Sequence, residues 1–186
     1  MNCWNQDIYL KAWNFASAAH QDQKVPASDI PYINHIGLVA MEGLAAITLD
    51  TDLSIQNPDL LVQCALLHDT IEDTNVSYTD IEKAFGTQVA DGVRALSKDK
   101  TLSTKAAQMQ DSLVRILLQP KEVWMVKLAD RITNLQPPPP HWDLPKKIKY
   151  RDEAIDILQQ LGPANKQLAK RLALKIEQYQ LLLTDS

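Results

Sequence analysis

This chain of 186 residues predicts an all-α fold, on three observations. Apolar residues recur at helical spacing almost throughout, no segment alternates as a half-buried strand would, and helix start and stop signals flank the periodic runs. In chain order, Trp4, Ile8, Ala12, Phe15 and Ala19 share one stripe and predict an N-terminal amphipathic helix. His20 follows that alanine-rich helix and is expected to pack or cap it rather than touch a phosphate. Pro31-Tyr32-Ile33-Asn34 is a helix entrance with Asn34 as the expected cap, so the next helix runs from His35 towards Ile47 with His35 on its first turn. Asn57-Pro58-Asp59 starts a third helix, expected to continue to about Glu72. Ser77 to Phe85, closed by Gly86, is a short helix with a glycine stop. Val89 to Leu96, Ser103 to Leu118 and Lys121 to Leu135 keep the same period, and Pro137 to Pro140 end the last of them. Lys146 to Arg151 is a basic helical stretch, and Leu168, Leu172, Ile176, Tyr179 and Leu183 predict a C-terminal amphipathic helix. That last stripe is either core or a subunit contact, so a homo-oligomer is compatible with it. The total is roughly eight to ten helices, with no substantial sheet and no internal repeat.

Composition narrows the function classes. The length suits a single domain over residues 1–186 with a real core and no need of disulfides. A net charge of -4 argues against a general nucleic-acid binder. Cys3 and Cys64 are too few for a disulfide framework, and Cys64 sits in an apolar helical run as a reduced, buried thiol would. There is no leader pattern and no run of about 20 apolar residues, so a cytoplasmic protein without a membrane partner is expected.

The chemistry concentrates in Cys64-Ala65-Leu66-Leu67-His68-Asp69-Thr70-Ile71-Glu72-Asp73-Thr74. On a regular helix Glu72 lies one turn beyond His68, and Asp73 one turn beyond Asp69. Three carboxylates so close repel by about 1 kcal/mol per pair even at water-like screening, unless a cation or a proton compensates. A second polar cluster, Val126 to Leu135, places Asp130 and Asn134 on one helix face. His35, His68, Asp69 and Asp130 together would offer two imidazoles and two carboxylates, a mixed set suited to Mn²⁺, Zn²⁺ or Fe²⁺. Lys127 and Arg131, four residues apart, could clamp a phosphate or pair with Glu122 or Asp130.

The ordered motifs Ala19-His20-Gln21-Asp22-Gln23, Pro31-Tyr32-Ile33-Asn34-His35, Leu67-His68-Asp69-Thr70-Ile71-Glu72-Asp73-Thr74, Phe85-Gly86 and Lys127-Leu128-Ala129-Asp130-Arg131 span nearly the whole chain. In that order they resemble the HD-type hydrolase domain of the Rel/Spo alarmone enzymes, and among these the small, hydrolase-only members. The resemblance implies a helical HD fold with one Mn²⁺-type site that removes the 3′-pyrophosphate from guanosine tetraphosphate or pentaphosphate. It implies His35, His68, Asp69 and Asp130 as metal ligands, Glu72 and Asp73 as the pair that handles water, and Asn134 near the nucleotide sugar. A divalent metal lowers a bound water's pKa from about 15.7 towards about 7, which makes hydroxide available at neutral pH. Lys127, Arg131 or Lys24 would help neutralise the phosphate charge.

Two departures concern the base. Where the family carries an arginine that packs on guanine, this chain reads Lys24-Val25-Pro26, and a lysine lacks the planar guanidinium that stacks. After Asn134 the family's basic and hydroxyl residues give way to Leu135-Gln136, four prolines and His141-Trp142, where Trp142 offers an alternative stacking surface. Adenosine alarmones or other nucleotide phosphoesters are therefore rival substrates, and an alarmone-binding module without turnover is the non-enzymatic rival.

Overall fold

The computed structural model describes residues 4–50 and 55–184, so Cys3 lies outside the described residues. The helices are α1 Gln6–Ala19, α2 Ile33–Thr48, α3 Pro58–Leu67, α4 Thr70–Asp73, α5 Tyr78–Phe85, α6 Thr87–Leu96, α7 Lys105–Leu117, α8 Lys121–Asn134, α9 Leu144–Leu161 and α10 Lys166–Thr184. A short 3-10 turn, Gly162–Ala164, joins the last two. An isolated antiparallel bridge between Lys24 and Pro31 ties the loop from α1 to α2. The all-α expectation holds.

Side-chain caps set most of the starts. Asn57 accepts a hydrogen bond from the Leu60 amide at 3.0 Å, and Pro58 opens α3 where its missing N–H costs nothing. Ser77 and Asp80 form a reciprocal capping box on α5, and Thr104 and Asp143 cap α7 and α9. Gly86, at φ 90°, occupies a region that favours glycine and ends α5 before α6 begins.

α3 is the central strut. Leu60, Leu61, Val62, Cys64, Ala65, Leu66 and Leu67 are all buried, as befits a helix apolar on every side. It is surrounded by α1, α2, α6 and α8, and each fully buried leucine contributes about 1.5–3 kcal/mol. Gly92 of α6 permits that approach, because a Cβ there would lie 2.8 Å from Cys64 Sγ and 3.0 Å from Val123 Cγ2. α9 and α10 pack against α8 and against each other, burying Ala154, Ile157, Leu161, Leu168 and Leu172.

Two expectations are corrected. Asn34 does not cap α2, which begins at Ile33. Its side-chain amide instead donates back to the Pro31 carbonyl at 3.0 Å. The third helix does not run through to Glu72 but breaks at His68-Asp69. The Thr70 hydroxyl takes the Leu67 carbonyl at 2.6 Å, which competes with the regular backbone ladder, and α4 restarts beyond it. The basic stretch from Lys146 to Arg151 is helical as expected and forms the first part of α9, which packs against α10.

Candidate metal centre and cleft

The break at the inner end of α3 lets two adjacent residues face the same point. On a continuous helix they would diverge by about 100°, yet His68 Nε2 and Asp69 Oδ2 meet at 2.9 Å. His35, on the first turn of α2, brings its Nε2 to 3.6 Å from Asp69 Oδ2 and 3.5 Å from Asp130 Oδ1. Asp130, near the end of α8, has the same Oδ1 3.9 Å from His68 Nε2. His35, His68 and Asp130 are all buried, each offering one ligand atom within 4.8 Å of the others. Separations of this size suit donors arranged about 2.0–2.2 Å around one small cation.

The hydrogen bonding also fits a cation. His68 Nδ1 donates to the Ala65 carbonyl at 2.9 Å, so in the neutral ring Nε2 carries the lone pair. That buried Nε2 lies 2.9 Å from Asp69 Oδ2 but is not aligned for a hydrogen bond to it. Burial alone would hold the His68 pKa down, but the Asp69 and Asp130 carboxylates outweigh it and push it up to about 9. Such a field stabilises positive charge, whether a proton on Nε2 or a divalent ion facing it.

Supporting contacts fix each carboxylate. The Tyr32 hydroxyl donates to Asp69 Oδ2 at 2.6 Å. Burial, then the Asp69 charge, raises the pKa of that phenol and keeps it a donor. Asp130 accepts from Lys127 Nζ at 3.0 Å and from the Asn134 amide at 2.5 Å. Burial would raise the Asp130 pKa, but the Lys127 ammonium and the two imidazoles hold it well below the usual carboxylate range.

Beside this centre lies a cleft of about 590 Å³, lined by Glu72, Lys98, Lys105, Asn134, Trp142 and Lys146 among others. Lys127 and Arg131 also line it but do not act as a pair. Lys127 is engaged by Asp130, whereas the Arg131 guanidinium lies 4.5 Å over the Tyr150 ring and 3.6 Å from Glu153. Glu122 pairs with neither, since its carboxylate accepts from the Gln56 and Asn57 amides at 2.8 Å. Trp142 meets Tyr150 edge to face and has Lys146 Nζ 4.3 Å from its ring centre.

Glu72 and Asp73 are both tethered. Glu72 Oε2 accepts from the Lys98 amide at 2.8 Å, with Lys98 Nζ 3.4 Å from Oε1. Asp73 lies 3.3 Å from Lys100 Nζ, which also donates to the Glu72 carbonyl at 2.6 Å. Glu72 and Lys100 line the cleft and also a second hollow of about 940 Å³, where Asp22, Asp73 and Asp80 lie. Lys24 is not brought to either hollow. Its ammonium pairs with Asp29 at 2.6 Å in the exposed loop.

Sequence reasoning did not single out Tyr32, Lys98 or Lys100. Tyr32 lies inside a quoted motif, but its contact with Asp69 spans 37 positions. Lys98 and Lys100 sit 26 or more residues beyond Glu72, with no periodic relation to it.

The model of the HD domain family matches residues 12–167. This chain belongs to the HD-domain family. Among curated relatives, guanosine-3′,5′-bis(diphosphate) 3′-pyrophosphohydrolase MESH1 of Danio rerio is 29% identical over 178 residues, covering 92% of this chain and 94% of the relative. MESH1 of Xenopus tropicalis is 30% identical, covering 89% of this chain and 90% of the relative. GTP pyrophosphokinase rsh of Brucella melitensis is 33% identical over 163 residues, but the chain spans only 20% of that protein. A solved structure described as a metazoan orthologue of SpoT that hydrolyses ppGpp superimposes with a TM-score of 0.79 at 24% identity, covering 95% of this chain and 97% of that one. That likeness extends the HD fold over nearly the whole chain. No helix among the described residues is long and apolar enough to cross a membrane.

Proposed function

We propose that this HD-domain chain acts as one domain, as a metal-dependent hydrolase that removes the 3′-pyrophosphate from guanosine 3′,5′-bis(diphosphate)-type alarmones. The observation that carries the reading is the meeting of His35, His68, Asp69 and Asp130 beside a cleft walled by lysines, in a chain that matches MESH1 proteins over about nine-tenths of both lengths. Those four side chains would hold the ion, with Mn²⁺ the favoured occupant and Zn²⁺ or Fe²⁺ compatible with the same nitrogen and oxygen donors. When bound, a divalent cation acidifies a water molecule it touches and offsets charge on the phosphate.

The chain's own residues supply the rest. Glu72 and Asp73 take the role of orienting and deprotonating the attacking water. The Lys98 amide fixes the Glu72 carboxylate, which supports that role. Lys98, Lys105 and Lys127 present positive charge to the phosphates from the cleft wall. Asn134, whose amide already bonds to Asp130, stands where a sugar hydroxyl could be bound.

The base contact has a second reading. With Lys24 paired to Asp29 outside the cleft and Trp142 on its lining, a purine would stack on the indole rather than on an arginine, and adenosine alarmones become rival substrates. Side-by-side turnover of guanosine and adenosine 3′-pyrophosphates with Mn²⁺ tests both readings. Pyrophosphate release from the guanosine compound is the expected result. Release from the adenosine compound alone would move the assignment, and tight nucleotide binding without turnover under any divalent ion would replace it with a binding module.

A further inference from the structure

His20, Gln23 and Tyr32 form a closed unit next to the metal centre that the hydrolytic reading leaves without a task. Gln23 holds both of its neighbours: its side-chain oxygen lies 2.6 Å from His20 Nδ1, and its backbone carbonyl accepts from the Tyr32 amide at 2.8 Å. The His20 ring is 5.1 Å from the Tyr32 ring, and the Tyr32 ring is 5.3 Å from that of His35. The His35 ring is in turn 5.4 Å from that of His68. At the inner end of the unit, the Tyr32 hydroxyl donates to Asp69 Oδ2, the oxygen that also faces both imidazoles.

His20 is a poor choice for packing alone. It is 2% exposed, and its Nε2 is buried without a hydrogen-bond partner. A phenylalanine in the same slot would avoid that penalty. What the imidazole adds is the Nδ1–H bond to Gln23, which fixes the angle at which the ring meets Tyr32. We propose that Tyr32 is a positioning residue for the metal centre, holding Asp69 in its ligating orientation, and that His20, pinned by Gln23, holds Tyr32 in the place from which it does so. Groups that orient ligating carboxylates and imidazoles typically change metal affinity by about 10–100-fold when removed.

This inference rests on the metal reading above, and its test separates the two. Mn²⁺ alone is titrated into the full chain and competed with a chelator, using wild type, Tyr32→Phe, His20→Phe, Gln23→Ala and the Tyr32→Phe/His20→Phe double variant. Tyr32→Phe should weaken Mn²⁺ binding by about 10–100-fold. His20→Phe and Gln23→Ala should weaken it by less, and the double variant should bind no more weakly than Tyr32→Phe, because both changes act through one hydroxyl. Gln23 is only half-buried, so Gln23→Ala carries the test if His20→Phe does not fold. Wild type and Tyr32→Phe binding Mn²⁺ equally would overturn the proposal, as would fully multiplicative losses in the double variant. A wild type that takes up no Mn²⁺ would overturn the metal reading itself, and this inference with it.

Discussion

Removing Asp130 should destabilise the fold even where no metal is present, and the reason is Lys127. The Lys127 ammonium lies 3.0 Å from Asp130 Oδ2, and the residue is 6% exposed. Breaking a buried ion pair by deleting one partner costs about 3–5 kcal/mol, because the other charge is left uncompensated. Lys127 lines the cleft and can draw in water, so the low end, about 3 kcal/mol, is expected for Asp130→Ala. Exchanging Lys127 for methionine as well deletes the stranded charge while keeping the chain's volume. The double variant should then recover to within about 1 kcal/mol of wild type, since apolar replacement of a whole buried pair is often neutral. Urea unfolding in excess chelator measures wild type and both variants without a metal contribution. A loss below about 1 kcal/mol for Asp130→Ala, or a double variant no more stable than that single one, would refute the reasoning. Metal binding should stay absent in the double variant, which distinguishes stability from ligation.

Other outcomes follow from the same geometry. Gly92→Ala should destabilise by about 1–2 kcal/mol despite the better helix propensity of alanine, because its Cβ would meet Cys64 Sγ at 2.8 Å. Thermal melts should show the loss shrinking in a Cys64→Ala background, and an unchanged loss would place the clash elsewhere. Burial is the main cause holding the His20 pKa below 6.5, with Asp69 and Asp73 pulling the other way and His68 reinforcing it. The unfolded chain therefore takes up a proton near 6.5 that the folded chain refuses, so His20's contribution is intact above that pH and is lost as pH falls below it. Comparing urea midpoints at neutral and mildly acidic pH, His20→Phe should flatten this slope, and an identical slope would remove His20 from the explanation. Chelation of the metal-loaded protein should abolish turnover and lower the melting temperature, since saturation at 100 times the dissociation constant stabilises by about 2.7 kcal/mol. Full activity in chelator would contradict the proposed chemistry.

Most of the architecture was legible because helix periodicity and capping are local properties. Asn57-Pro58 and Ser77 through Gly86 mark their boundaries within a few residues, and the structure places helix ends there. The break between α3 and α4 was not legible. It depends on a threonine hydroxyl capturing one carbonyl, a competition that apolar spacing does not record. Asn34 carried the composition of a cap, but its amide found the Pro31 carbonyl one turn back. His68 and Asp69 stood out as an adjacent pair that makes little sense in an apolar helical run without an ion, whereas His35 and Asp130 joined them as ligands through the resemblance of the ordered motifs. Tyr32, Lys98 and Lys100 did not stand out, because each reaches the site by a tertiary contact with a residue at least 26 positions away. Lys24 offers a suitable charge in a suggestive motif, and the direction in which the loop turns it, towards Asp29, is a tertiary detail that the motif does not record.

Anomalous diffraction from crystals soaked in Mn²⁺ would speak most directly to the convergence of His35, His68, Asp69 and Asp130. One peak is expected, within about 2.0–2.3 Å of both imidazole Nε2 atoms and of an oxygen from each carboxylate. An ion bound elsewhere, or no ion at all between those side chains at saturating Mn²⁺, would contradict it.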